Sequence, residues 1–478
     1  MTGHNETERL DKSVLKLAGI LLVGAMAPLF DTTIVNVAIH RLGTDLHTSV
    51  ATIQWVVTGY LLALAMVVPV TGWLLGRFGG RRMWLLALTL FLTGSVLSGL
   101  SWSVTSLIVF RVLQGLGGGM MLPILQTLLV QAAGRRRLGR LMAVVSLPAI
   151  LGPILGPVLG GLLISHVSWR WIFFVNVPIC VAALVLAWRG LPATPARGRQ
   201  PFDAWGLVLL SPALAAIIYG LSQVGVHGGF AYGTVDGPLV AGLVLLAAFA
   251  WHALRGRAEP IVDLRLFRVR SFSASAAVLF LSGLSLYGAM LLLPLYYQQV
   301  RGQTALAAGL LLAPQGLGTL LSRPLLVFVD RIGARPIALA GLAFATLGTV
   351  PFALAGPDTS EVLLAVSLVV RGAGLGAVTV PVMAAAYQEL RPEQVPHASG
   401  ATRILQQVGG SFGTAVLAVI LQREITSHAA ATAYDHVFWW SLGFTALALV
   451  PALLLPGRMR AARGEVPVPD QRPTSPVS

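Results

Sequence analysis

Runs of about 20 apolar residues recur along this chain, and nothing else in it limits the possible folds so severely. The first, from Leu17 to Ile39, reads LAGILLVGAMAPLFDTTIVNVAI. At about 1.5 Å of rise per residue, a helix of that length crosses the roughly 30 Å of bilayer hydrocarbon. Every backbone polar group there must be satisfied internally, and long continuous runs achieve this as helices. Comparable runs begin near Lys16, Ala51, Met83, Thr105, Gly139, Trp171, Ala204, Leu239, Ser273, Ala305, Pro336, Glu361, Thr402 and Val437, predicting 14 spans. With 56% hydrophobic and 11% charged residues over 478 positions, too little charge remains to solvate a soluble chain. The expected class is an all-α integral membrane protein. The first run is too long for a signal-peptide core and lacks a convincing cleavage site, so it is expected to remain as the first helix.

An even number of spans places both termini on one side, and the basic residues indicate which. Of the 33 Lys and Arg residues, only Arg41, Arg170, Arg301 and Arg423 fall in predicted outer loops, and only Arg111, Arg323 and Arg371 fall within spans. The rest sit in loops and tails assigned to the cytoplasm. The chain is therefore expected in the plasma (inner) membrane as a multi-pass protein with both termini cytoplasmic. The net charge of +15 is dispersed over short loops such as GRRRLGR near Arg135 and RLFRVR near Arg265. It reads as a topology signal in contact with anionic membrane lipids, and not as a nucleic-acid surface. Lone Cys180 offers no disulfide framework, and the 9 histidines show no metal-ligand spacing, so no metal is expected.

Among the 18 acidic residues, only Asp31 lies well inside an apolar run. An ionisable group at bilayer depth costs about 2.5 to 3.5 kcal/mol on insertion scales, so it persists with a partner or a task. A plain packing role competes with this reading, although Asn or Thr would make the same hydrogen bonds at a smaller desolvation cost. In the fourth span, Arg111, Gln114, Gly115, Gly118 and Leu122 share one face by helical geometry, and that face is expected to line a cavity. Arg111 is a permanent cation able to stabilise an ionised Asp31; the alternative is that it snorkels to the outer interface. In the fifth span Gly152, Gly156 and Gly160 recur every fourth residue beside Pro153 and Pro157, which yields a bare helix face that can approach a neighbour and bend.

The chain also repeats itself. GRFGGRR from Gly76 to Arg82 corresponds to DRIGARP from Asp330 to Pro336, with Arg77 and Arg331 offset by 254 positions. Gly115, Gly117 and Gly119 correspond to Gly372, Gly374 and Gly376 at an offset of 257. Two independent segments with similar offsets argue for two homologous halves. The division runs as an N-terminal tail over 1–15, a first six-helix half over 16–189, a linker with inserted helices seven and eight over 190–272, a second six-helix half over 273–456, and a disordered cytoplasmic tail over 457–478.

Four motifs in this order resemble a known family: FDTTIVNVAI from Phe30, RVLQGLGGG from Arg111, GPILGPVLGG from Gly152 to Gly161, and WRWIFFVNVP from Trp169. From about Lys16 to Pro456 the chain is similar to the fourteen-helix drug:proton antiporters of the major facilitator superfamily. The resemblance implies a major facilitator fold of two six-helix halves plus two inserted helices. It makes the GPILGPVLGG face, including Gly161, the antiporter motif, a hinge and seal between the halves. It also implies a cytoplasmic gate at Arg77, Arg81, Asp330 and Arg331. The family's Asp before the first gate arginine is replaced here by Gly76, so that gate is expected to be looser.

On this reading Asp31 and Arg111 couple protons to export. Burial favours a neutral carboxyl and a neighbouring guanidinium a charged one, and the balance can move as the cavity changes side or as substrate enters. Protons load Asp31 from outside, and substrate binding from the cytoplasm expels them inward. Each pH unit supplies about 1.4 kcal/mol and each 100 mV about 2.3 kcal/mol per charge. No cofactor beyond the coupling proton is expected, no ATP site is visible, and the protein is not expected to be an enzyme. Phe30, Asn36, Gln54, Trp55, Thr58, Tyr60, Gln114, Tyr287, Tyr296 and Arg371 are candidates to line a cavity for small amphipathic or lipophilic molecules, or to be ordinary core and interfacial groups. Two alternatives stay open: an uptake symporter or facilitator on the same fold, and a non-transporting membrane scaffold.

Overall fold

The structure, a computed structural model, describes residues 12–48, 50–53, 55–133, 159–160, 162–164, 166–192, 202–227, 229, 232–255, 260–326, 332–356, 358–391 and 394–457. Among these residues every regular element is helical. Eleven helices are long and apolar enough to cross a membrane. The helices named below, not all of them long enough to span, are α1 (Lys12–Asp45), α2 (Trp55–Phe78), α3 (Gly80–Gly99), α4 (Val104–Ala133), α5 (Asn176–Gly190), α6 (Ala204–His227), α7 (Gly233–Arg255), α8 (Arg270–Gln299), α9 (Ala305–Leu311), α10 (Ala313–Leu321), α11 (Ala334–Leu347), α12 (Glu361–Gln388), α13 (Val395–Ser427) and α14 (Ala430–Leu447). The predicted fifth span lies outside the described residues apart from a few positions near Gly160.

The helix starts differ from expectation for local reasons. Helix α7 begins at Gly233, ahead of Leu239, with Asp236 in its first turn, where a carboxylate complements the helix dipole. The predicted tenth span is not one helix: it is cut into α9, α10 and a short turn Arg323–Leu326. Pro314 and Pro324 follow the two breaks, and neither can donate the backbone hydrogen bond that would carry the helix through. Helix α14 starts at Ala430, short of the expected Val437, and α13 at Val395. That places Arg403, assigned to the cytoplasmic side by sequence, within a candidate span from His397 to Ser427.

Helix packing sorts the chain into two sets that meet directly, where α13 lies against α2 and α4, and also through α6. Helix α4 lies against α2 and α3, and α1 against α5; further along, α8 lies against α13 and α12 against α10 and α11. The close approaches need bare backbone. A Cβ on Gly94 would meet the Gln114 backbone at 2.5 Å, and one on Gly348 would meet the Arg371 backbone at the same 2.5 Å, so α3 against α4 and the end of α11 against α12 follow one rule. Helix α6 pairs with α7 and contacts both α2 and α13, one from each set. Its Ser211 hydroxyl donates to Met66 O at 2.7 Å, and Tyr219 stacks on Trp55 at 5.4 Å.

The repeat is visible in the backbone. Gly79, which starts α3, and Gly333, which starts α11, have φ of 81° and 91°, a conformation that side-chain-bearing residues rarely adopt. They are 254 positions apart, the same offset that relates Arg77 to Arg331.

Candidate functional site

Asp31 is fully buried in α1, three residues past Pro28 in the same helix. Helix α4 brings Arg111 and Gln114 to it, one helical turn apart and therefore on one face. Arg111 Nη1 donates to Asp31 Oδ2 at 2.5 Å and to Gln114 Oε1 at 2.8 Å, while Gln114 Nε2 donates to Asp31 Oδ1 at 2.9 Å. Arg111 Nε donates to Val56 O in α2 at 3.1 Å. The first residue of α5, Asn176, donates Nδ2 to Asp31 Oδ1 at 3.3 Å and to Ser95 Oγ at 3.1 Å, and the Ser95 hydroxyl donates to Phe173 O at 2.9 Å. The guanidinium carbon sits 4.0 Å from the Tyr60 ring centroid and 5.7 Å from that of Phe173.

This network settles one alternative. Arg111 is only 1% exposed, so it does not snorkel to an interface. Removing one member of a buried, hydrogen-bonded ion pair costs about 3 to 5 kcal/mol, because the other charge is left uncompensated. The face bearing Gly115 and Gly118 is not an open cavity wall here. Gly115 backs onto Tyr60 O of α2, and a Cβ on Gly118 would come within 3.0 Å of the Tyr60 hydroxyl, so these glycines admit neighbouring groups. Sequence reasoning missed Asn176 and Ser95. Asn176 stood inside a quoted motif as a polar residue in an apolar stretch, the same signal that singled out Asp31.

A second buried arginine has a different environment. Arg371 of α12, 2% exposed, donates Nη1 to Gln315 Oε1 of α10 at 2.8 Å, Nη2 to Ser285 O of α8 at 3.2 Å and Nε to Thr349 Oγ1 at 3.3 Å. Ser285 and Thr445 of α14 share a hydrogen bond at 2.6 Å. At the 254-residue offset Ser285 corresponds to Asp31 and Thr349 to Ser95. The positions repeat, but the acid does not.

The other predicted residues are distributed. Phe30 is buried at 6% exposure, and Thr58 is half-buried. Trp55 is 39% exposed and stacks on Tyr219 of α6. Tyr287, half-buried, lies across Gly410 of α13, and Tyr296 belongs to an aromatic core with Tyr297, Phe352, Tyr434 and Phe438. The Asn36 side chain and Gln54 lie outside the described residues. So do Asp330 and Arg331 of the gate, whereas Arg81 donates to Trp188 O at the end of α5 and Arg77 closes the last turn of α2. Of the fifth-span motif, Gly152, Pro153, Gly156, Pro157 and Gly161 are likewise outside. Gly160 is described and buried, and a Cβ there would meet Ile34 of α1 at 2.9 Å.

A multi-pass helical membrane protein with an ion pair sealed among its first helices is thus defined by fold and site. The profile of the Major Facilitator Superfamily matches residues 21–414, and the chain belongs to that superfamily. It is 40% identical over 417 residues to the multidrug resistance protein B homolog of Mycobacterium tuberculosis, covering 87% of this chain and 77% of that one. It is 33% identical over 409 residues to the tetracenomycin C resistance and export protein of Streptomyces glaucescens, covering 84% and 75%. Among solved structures, the proton:xylose symporter XylE bound to 6-bromo-6-deoxy-D-glucose superposes with a TM-score of 0.67 at 15% identity, covering 94% of this chain and 97% of that one, a likeness of fold alone.

Proposed function

We propose that this protein is a proton-coupled exporter of lipophilic drugs or natural products, working by alternating access with Asp31 as the proton carrier. The observation that carries the reading is the buried network of Asp31, Arg111, Gln114 and Asn176, which places one titratable carboxyl against one fixed cation. An ionised Asp31 is held by Arg111. A protonated one releases the guanidinium and needs an acceptor for its new O–H. Asn176 Oδ1 is buried and accepts no hydrogen bond among the described residues, so rotation of that amide would serve both states. The names of the two relatives, a multidrug resistance protein B homolog and a tetracenomycin C resistance and export protein, favour the outward direction.

In this reading the chain crosses the plasma membrane 14 times, counting the fifth span and the broken tenth, with two six-helix halves and both termini cytoplasmic. Helices α6 and α7 are the inserted pair, and α6 rests on both halves. Arg111, Arg323, Arg371 and Arg403 lie along spans against Asp31 as the one acid well inside. The surplus positive charge suits neutral or anionic lipophiles and opposes dications. The motive force comes from protons, with neither ATP nor a cofactor, and the residues of the fifth-span motif form the hinge and seal between halves.

The test is proton movement in proteoliposomes under an imposed pH gradient, with a panel of lipophilic dyes and antibiotics. Compounds that drive protons in the direction opposite to their own movement support antiport. Protons moving with the compound would make the protein a symporter, and no compound-dependent movement would leave facilitation or scaffolding.

A further inference from the structure

The end of α13 and the start of α14 bring together three residues whose sequence spacing had suggested no metal site. Glu424 lies in the last turn of α13, His428 is the extended residue that caps that helix, and His436 comes from the next helix across a short turn. His436 Nδ1 lies 2.6 Å and His428 Nδ1 3.1 Å from the same oxygen, Glu424 Oε2, and the ligand atoms of the three residues are all within 4.8 Å of one another. The two imidazole rings are 5.1 Å apart between centroids.

We infer that Glu424, His428 and His436 form a binding site for a borderline transition-metal dication, of which Zn2+ is the representative. Two imidazole nitrogens aimed at one carboxylate oxygen present the two-histidine, one-carboxylate donor set that such ions take. Tetrahedral coordination at metal-ligand distances near 2.1 Å sets ligand atoms about 3.4 Å apart, so the nitrogen of His428 is already close and that of His436 must open by about 0.8 Å. The side chains can make that movement, being 25%, 43% and 44% exposed for Glu424, His428 and His436.

The local electrostatics also call for a cation. Glu424 sits in the last turn of α13, where the helix end is negative and a carboxylate is unfavourable. Among the described residues only the two histidines pair with it. Asp435 adds a second carboxylate beside His436, with one oxygen buried and without a hydrogen-bond partner among the described residues. Arg423 is the neighbouring cation and is exposed. Ser427 Oγ lies 3.1 Å from His428 Nδ1 and orients that ring. Hard ions such as Mg2+ prefer all-oxygen shells and are excluded by the two nitrogens. A bound ion would tie α13 to α14 at the face that the charge distribution assigns to the outside.

The experiment is calorimetric titration of Zn2+ into the purified full-length protein, freed of any affinity tag, with Mg2+ as control and the visible spectrum of added Co2+ as a second readout. One Zn2+ per chain is expected, together with the intense absorption of tetrahedral Co2+. Loss of outer-sphere partners alone weakens metal sites about 10- to 100-fold, so E424Q/H436Q should lower Zn2+ affinity by more than about tenfold. H428Q, at an exposed helix end, provides the same test if the double variant folds poorly. Zn2+ binding unchanged in both variants, or absent from the parent protein, would overturn the assignment.

Discussion

Two buried arginines, one in each half of the repeat and one helical turn out of register since Arg371 corresponds to Gln114, are stabilised in opposite ways. Arg111 has a carboxylate at 2.5 Å, two aromatic faces and an amide oxygen. Among the described residues Arg371 has neutral acceptors alone, Gln315 Oε1, Ser285 O and Thr349 Oγ1. The first set of helices therefore holds a pair whose charge can change by one proton. The second holds a fixed positive charge with no titratable partner among the described residues. A repeated scaffold has kept the polar positions while pairing only one of the two arginines with an acid among the described residues, and under the proposed function the proton step then belongs to α1, α4 and α5.

The comparison can be broken most severely at Arg111. Replacing it with Met should cost about 3 to 5 kcal/mol or force Asp31 to protonate, since a buried carboxylate would lose its counter-ion. Thermal unfolding in detergent would show a large drop, partly recovered in an Asp31→Asn background. Arg371→Met should behave differently. It gives up three hydrogen bonds to neutral groups but also removes an uncompensated charge, so stability should change by less than about 2 kcal/mol while transport of anionic compounds falls. Equal destabilisation by the two substitutions would refute the asymmetry.

Smaller changes sharpen the same contrast. Asn176→Ala should cost about 1 to 2 kcal/mol, leaving Asp31 paired with Arg111 but short of one donor. Its signature is a shifted pH profile of transport with substrate affinity nearly kept, and an unchanged profile would remove Asn176 from the proton step. The smallest effect is expected from Gly76→Asp, which restores a carboxylate beside Arg77 at the end of α2. Cysteine accessibility of outer and inner positions should move toward the outward-facing state, and no movement would show that the looser gate is without consequence.

Much of this was legible from residue types, because a charge inside an apolar run is informative wherever the helix ends up. Asp31, Arg111 and Gln114 were found in this way, two of them sharing a helix face. Asn176 and Ser95 were not, since their meeting depends on how α3 and α5 cross α1, which spacing along one helix does not encode. Trp55 and Tyr60 illustrate the limit: five positions apart in one helix, the first faces α6 and the second covers Arg111. Side-chain type alone gave no means of separating them. The break between α9 and α10 was overlooked because the apolar run continues through Pro314, and hydropathy does not register a missing backbone donor.

The central claim is that Asp31 carries the coupled proton, and the most direct measurement compares wild type with Asp31→Asn for compound-driven proton flux in proteoliposomes. Asparagine nearly keeps the shape and cannot titrate, but with one acceptor oxygen in place of two it retains the hydrogen bond from Gln114 or the one from Arg111, not both. The account predicts flux in wild type and none above background in the variant, with compound binding retained. Equal flux in the two proteins would contradict it.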